Sequence, residues 1–230
     1  LPQDRLHGYL TKAVREAKRH TAWVDGNPDY EARVLAFADQ VVAPGPLGAA
    51  VDEAVQENRE GIRATVLGQK LLQLLLPGTA DVYQGCEVVN LSLVDPDNRR
   101  PVDYDALEAR LARLDTDPPA TLDDEKLLVT SRALRVRREL RDCFGDAAGY
   151  EPLTGSTEHV VGFVRTGRAL CAVTRAPRRL VDAGGWKDHT VTLPDGTWHD
   201  ELTGRVLAGP GQVGCAELFA DLPVALLVAR

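Results

Sequence analysis

At about residue 150 the spacing of apolar residues changes period, and no other feature of the chain constrains its fold as strongly. Before that point apolar residues recur at the interval of one helical face. Leu6, Leu10, Ala13, Val14 and Ala17 do so over residues 4–21, and Tyr30, Val34, Leu35, Phe37 and Ala38 over residues 29–42. Pro44-Gly45-Pro46 breaks the second helix. Helical spacing resumes over residues 47–76, as two helices with a weak point near Gly61, and again over residues 105–114 and 123–140. After residue 150 the pattern becomes short β-type runs at 159–165, 169–174, 190–193, 197–199 and 223–228. Pro194-Asp195-Gly196 and Thr203-Gly204 read as the turns between them. The fold class is therefore α+β, with a boundary at residues 143–149 and a small antiparallel sheet or sandwich after it.

Composition excludes several function classes. A formal charge of −7 argues against a polyanionic partner, so nucleic acid is not expected. The local run Arg132, Arg135, Arg137, Arg138 and Arg141 spreads around the polar side of a helix, as a solvated face does. Four scattered cysteines give neither a zinc pattern nor a disulfide framework; they fit a reducing cytoplasm, and no metal or other cofactor is expected. No apolar run approaches the ~20 residues that span a bilayer, so no membrane association is expected. The chain starts at leucine and contains no methionine, which reads as part of a longer protein.

The densest chemistry lies in residues 91–104, Leu-Ser-Leu-Val-Asp-Pro-Asp-Asn-Arg-Arg-Pro-Val-Asp-Tyr. Two prolines restrict themselves and the residues before them, so this is a stiff, non-helical loop. It aims carboxylates (Asp95, Asp97), planar cations (Arg99, Arg100) and an amide (Asn98) at its surroundings, a set suited to a hydroxyl-rich ligand. Upstream, Pro77-Gly78-Thr79-Ala80-Asp81-Val82-Tyr83-Gln84-Gly85-Cys86-Glu87 reads as a short strand at 81–83 that breaks into the loop. The same residues also fit plainer roles. Arg99 and Arg100 can pair with the loop's own carboxylates, Tyr83 can pack beneath it, and Asn98 can close an Asx turn.

These two runs, with Arg15-Glu16-Ala17-Lys18-Arg19-His20-Thr21-Ala22-Trp23, Asn27 and Tyr30-Glu31, resemble the maltooligosyl trehalose synthase family of α-amylase-type enzymes. Ala80, Cys86 and Ala22 depart from the family's usual proline, threonine and serine. The resemblance implies three regions. Residues 1–62 would be a helical insertion, 63–143 the last strand, sugar-site loop and helices of a (β/α)8 barrel, and 144–230 a terminal β domain. It implies intramolecular transglucosylation of a maltooligosaccharide, turning the reducing-end α-1,4 bond into an α,α-1,1 bond. Tyr83, Glu87, Asp95, Asp97, Asn98, Arg99 and Arg100, with Lys18, His20 and Trp23, are then expected substrate contacts. On spacing alone, a pair such as Lys18 and His20 at a helix end is more often a dipole partner.

The family's nucleophilic aspartate, acid/base glutamate and third aspartate lie on earlier barrel strands that this chain does not contain. None of Asp81, Glu87, Asp95, Asp97 and Asp103 is therefore assigned a catalytic role, and the chain alone is expected to be inactive. Its orphaned strand edge and the Leu71–Leu76 helix face are expected to make it self-associate. Two rivals stand beside this reading: a non-catalytic carbohydrate-binding module displaying Trp186 and Trp198, and the end of another α-amylase-type hydrolase or transferase.

Overall fold

The structure, a computed structural model, describes residues 2–230. The chain divides into two compact units, Leu1–Glu57 with Asn90–Val102, and Asn58–Val89 with Asp103–Arg230.

The first unit holds three helices, α1 (Gln3–Ala17), α2 (Pro28–Val42) and α3 (Pro46–Glu57), and the charged loop. Helix α1 is shorter than its apolar spacing predicts. It stops because Lys18 turns into the left-handed region at φ 53°. Pro28 opens α2 where its missing N–H costs nothing, and the Asn27 side chain accepts from the Tyr30 amide at 3.1 Å. Pro44-Gly45-Pro46 ends α2, and α3 leaves at a bend of 59°. No described residue of these helices is fully buried, and Phe37, Val41, Val42, Leu47, Val51 and Val55 are exposed along α2 and α3. An uncovered apolar face of this kind draws a second surface. The isolated chain is expected to self-associate at micromolar concentration, and charged replacements at Phe37 and Val51 should return it to monomer in sedimentation equilibrium. Among the described residues, no single helix is long and apolar enough to cross a membrane.

The second unit stacks helices on a sheet. Helices α4 (Arg59–Leu75), α5 (Tyr104–Leu114) and α6 (Leu122–Glu139) precede the strands. The break before α4 falls at Asn58 rather than Gly61. Thr121 and Asp124 form a reciprocal capping box at the start of α6. The sheet is β1 (Tyr150–Pro152), β2 (Val160–Arg165), β3 (Ala169–Thr174), β4 (Thr190–Asp200), β5 (Val206–Gly214) and β6 (Val224–Ala229), with α7 (Pro177–Asp182) and α8 (Cys215–Leu218) in its connections. Strand order is β1-β2-β3-β6-β4-β5 and every pairing is antiparallel.

Alternate residues of the central strands serve two cores. Phe163, Cys171, Val173, Val224 and Leu226 meet α4 and α6 at Leu67, Leu71, Leu74, Leu128, Val129 and Ala133. Val164, Leu170, Ala172, Ala225 and Leu227 pack on the other side with Leu193, Trp198, Leu207 and Val213. Each fully buried leucine contributes about 1.5–3 kcal/mol relative to an exposed one.

Three expectations change here. The strand expected at 81–83 forms no ladder: residues 79–83 carry no strand pairing, because no parallel neighbour exists within the chain for them. Most of the leucines expected to be stranded at the end of α4 are covered; Leu71, Leu74 and Leu75 are buried against the sheet and α6 and Leu72 is partly buried, while Leu76 stays exposed. Residues 190–193 and 197–199 are not two strands around a Pro194-Asp195-Gly196 turn. They are one strand, β4, whose register against β5 shifts between Leu193 and Gly196. The Pro194 carbonyl presses toward Gly209 there, and a Cβ on residue 209 would lie 1.9 Å from it.

Candidate functional site

The charged loop of the first unit is built by helix α1. Arg5 and Lys12 lie seven residues apart, on one face of the helix. Arg5 reaches Asp97 with Nε and Nη2, both at 2.7 Å, and donates to the Leu91 carbonyl at 3.1 Å. Asp97 also accepts from the Leu93 amide at 2.7 Å and is only 8 % exposed. Arg5 first, with the Leu93 amide and Arg100 behind it, holds the Asp97 carboxyl well below the usual aspartate range. Lys12 Nζ donates to Asp95 twice, to Oδ2 at 2.6 Å and to its carbonyl at 2.7 Å. Arg99 pairs with the other Asp95 oxygen. The Asp95 carboxyl is also lowered, chiefly by Lys12.

Residues Asp97–Arg99 form one 3₁₀ turn, and Arg100 folds back on the Asp97 carbonyl at 3.1 Å and Ser92 Oγ at 3.1 Å. The loop is thus cross-linked by its own charges. Asp97 spends its polar atoms inward, and Arg100 bonds back onto the loop while half of its side chain stays in solvent. Arg99 keeps most of its side chain in solvent, and Asn98 Oδ1 is buried without a hydrogen-bond partner.

A second network fixes the segment after α1. Arg15 grips Glu31 through two bonds, at 2.9 and 2.7 Å, and Thr21 Oγ1 donates to Glu31 at 2.6 Å. Thr21 Oγ1 in turn accepts from the Asn27 amide at 2.9 Å. Arg15 first, then Thr21, brings the Glu31 carboxyl down to about 2. The Arg15 guanidinium also lies 5.0 Å from the Trp23 ring centre, leaving that ring 57 % exposed. His20 lies tilted against Tyr30, with ring centres 5.0 Å apart and 46° between the planes. The result is an aromatic braced from behind and presented outward, next to exposed Lys18 and His20.

Of the ten expected contacts, eight belong to this unit, in two clusters that α1 anchors. The other two, Tyr83 and Glu87, belong to the second unit. Tyr83 is half exposed there, and Glu87 keeps one buried carboxylate oxygen without a hydrogen-bond partner. Sequence reasoning gave no role to Arg5 and Lys12. Their seven-residue spacing on α1 was the available signal, but the partners lie 92 and 83 residues away.

The chemistry is that of binding. Asp95 and Asp97 are both held ionised by cations, so neither can act as a proton donor near neutral pH. No group of three or more His, Cys, Asp or Glu among the described residues could hold a metal ion. None of the four cysteines forms a disulfide. The rival based on exposed tryptophans meets a direct obstacle: Trp198 is fully buried, its Nε1 donating to the Pro194 carbonyl at 3.0 Å, and Trp186 stacks on Phe219.

No family model matches the chain. A putative maltooligosyl trehalose synthase of Mycobacterium tuberculosis is 43% identical over 230 residues, covering 98% of this chain and 28% of the relative. The structure of maltooligosyltrehalose synthase from Arthrobacter ramosus superimposes with a TM-score of 0.89 at 43% identity, over 100% of this chain and 30% of that one. A hypothetical maltooligosyl trehalose synthase of Sulfolobus tokodaii aligns at a TM-score of 0.71 and 27% identity, over 98% of this chain and 29% of its own. The chain therefore spans less than a third of the length of these relatives. It is homologous, along nearly its whole length, to the C-terminal part of maltooligosyl trehalose synthases.

Proposed function

We propose that this chain is the non-catalytic C-terminal part of an intramolecular transglucosylase that converts the reducing-end α-1,4 bond of a maltooligosaccharide into an α,α-1,1 bond, as in trehalose biosynthesis. The observation that carries the reading is homology over nearly the whole chain to proteins named for that activity, with the charged loop and the Trp23 segment both rigidly braced. Residues 63–143 are read as the end of a (β/α)8 barrel, 1–62 as a helical insertion and 144–230 as a terminal β domain. The protein works in the cytoplasm and needs no cofactor.

Intramolecular transfer requires that the cleaved glucose neither leave nor meet water before it is re-attacked. Rigid walls serve that need, because small displacements of a reacting group are costly. On the first unit, Trp23 offers its face to a pyranose ring. Arg99, Asn98, Lys18 and His20 offer donors and acceptors to hydroxyls. Asp97, Asp95, Arg100 and Glu31 act behind them by holding those groups in place. On the second unit, Tyr83 and Glu87 are read as substrate contacts of the same kind.

The test uses the intact protein that carries this segment, incubated with a linear maltooligosaccharide. Reducing ends should disappear without equivalent release of glucose, and Trp23→Ala should lower kcat/KM by about tenfold or more through lost ring contact. Reducing ends that accumulate instead would make the protein a hydrolase. The 230-residue chain alone is expected to produce neither change, since glycosyl transfer needs two flanking carboxyl groups in the correct protonation states.

A further inference from the structure

We propose that one face of α6 is a positioning device for Glu87, with Asp123 and Lys126 gripping two consecutive backbone groups directly after it. This rests on the reading of Glu87 as a substrate contact. Residues 84–89 belong to no strand, so their backbone polar groups cannot find partners in a ladder. Helix α6 supplies partners instead. Asp123 Oδ1 accepts from the Val89 amide at 2.9 Å and Lys126 Nζ donates to the Val88 carbonyl at 2.7 Å; the Thr130 hydroxyl donates back to the Lys126 carbonyl at 2.7 Å and lies 3.5 Å from the Glu87 carbonyl. Positions 123 and 126 share a single helical face, so one rigid element holds residues 89 and 88, directly after Glu87.

Behind this grip, next to the half-buried Lys126, lies a buried ammonium. Lys70, on α4, is 5 % exposed and donates to Gln73 Oε1 at 2.7 Å; Gln73 in turn donates to the Asp81 carbonyl. Burial is the main cause that pushes both Lys70 and Lys126 below the ordinary lysine range, and Lys70 pushes Lys126 further. The groups facing Lys126 are Lys70 from α4, Cys86 and Glu87 from the segment, and Asp123 on its own helix. Two desolvated cations are a costly way to hold a surface loop. Here they flank a carboxylate with one buried oxygen that no protein group uses.

Two measurements decide the matter. In the 230-residue chain, Asp123→Ala should speed hydrogen exchange at the Val89 amide by about tenfold or more, because the carboxylate is the acceptor this amide bonds among the described residues. In the intact protein, Lys126→Met should lower kcat on a linear maltooligosaccharide by about tenfold or more, with KM changing less than about threefold. Lys126→Arg should restore most of that loss and move the alkaline limb of kcat upward, since a guanidinium keeps its charge to higher pH than a partly desolvated ammonium. Unchanged exchange at Val89 in Asp123→Ala would overturn the grip. A loss of kcat in Lys126→Met that only follows the folded fraction, with no rescue by arginine, would leave a structural role and overturn the proposal. If the wild-type intact protein forms no transfer product, the functional reading fails and the role of Glu87 with it, while exchange at Val89 still reports whether α6 holds the segment.

Discussion

Replacing Trp198 with alanine is expected to destabilise the second unit by about 3–5 kcal/mol, the range for deleting a large aromatic from a closed core. A domain of this kind holds roughly 5–15 kcal/mol in total, so the variant should be largely unfolded at modest denaturant concentrations. Trp198 has no solvent exposure and packs with Val164, Leu170, Leu193, Leu207 and Val213, where strands from both ends of the sheet contribute to one core. Its removal opens a cavity that the fixed backbone of the irregular stretch at Pro194 cannot fill. It also leaves the Pro194 carbonyl without the indole donor at 3.0 Å. Trp198→Phe should recover most of the packing but not that bond. Trp186→Ala, which removes a ring stacked on Phe219 nearer the surface, should cost far less. Urea titrations of the three variants check the order. A Trp198→Ala chain as stable as the parent would mean that the ring is not the centre of this core.

The sheet also shows where local pattern succeeds and where it fails. Strands β3 and β6 are unbroken apolar runs and could be read directly, because both of their faces are buried. Strand β5 escaped notice: Gly209, Pro210 and Gly211 interrupt an alternation that survives only at Leu207 and Val213. Asp195-Gly196 carries the strongest short-range signal for a hairpin turn, yet the chain there bulges and continues, because β5 pairs on both sides of the irregularity. A missing residue matters as much as a misleading one. Residues 81–83 have strand composition but no neighbour to bond, so composition alone predicts a ladder that topology withholds. In the charged loop the residue types were legible and their partners were not. Prolines and paired charges mark residues 91–104 as stiff and polar, whereas Arg5 and Lys12 look like ordinary polar positions of an amphipathic helix. Only the folded chain brings α1 to Asp95 and Asp97.

Asp97→Ala is expected to release the whole charged loop, and acid is expected to do the same to the unaltered chain. Asp97 collects Arg5 through two bonds, the Leu93 amide and Arg100, so its removal deletes four contacts and leaves the Arg5 fork without its carboxylate. Losing one member of a desolvated pair costs more than the pair itself contributes, because the remaining charge stays out of water. Proteolysis within residues 91–102 should become at least about tenfold faster, with the second unit unaffected. The pH dependence follows from the direction of the shift. Asp97 titrates at about 3.8 when unpaired and lower when folded, so its contribution is complete above that value. It is lost as pH falls from there toward the folded value. Glu31, lowered from 4.5 to about 2 by Arg15 and Thr21, behaves in the same sense over the same interval. The first unit should therefore loosen between about pH 4.5 and 2, followed by protease susceptibility or by the exposed Trp23 fluorescence. Asp97→Asn should keep the loop's shape in part, since an amide oxygen still accepts from the Leu93 amide, but it should flatten the acid transition of the loop. A loop in Asp97→Asn that still opens over that same interval would show that another carboxylate, not Asp97, is what acid removes.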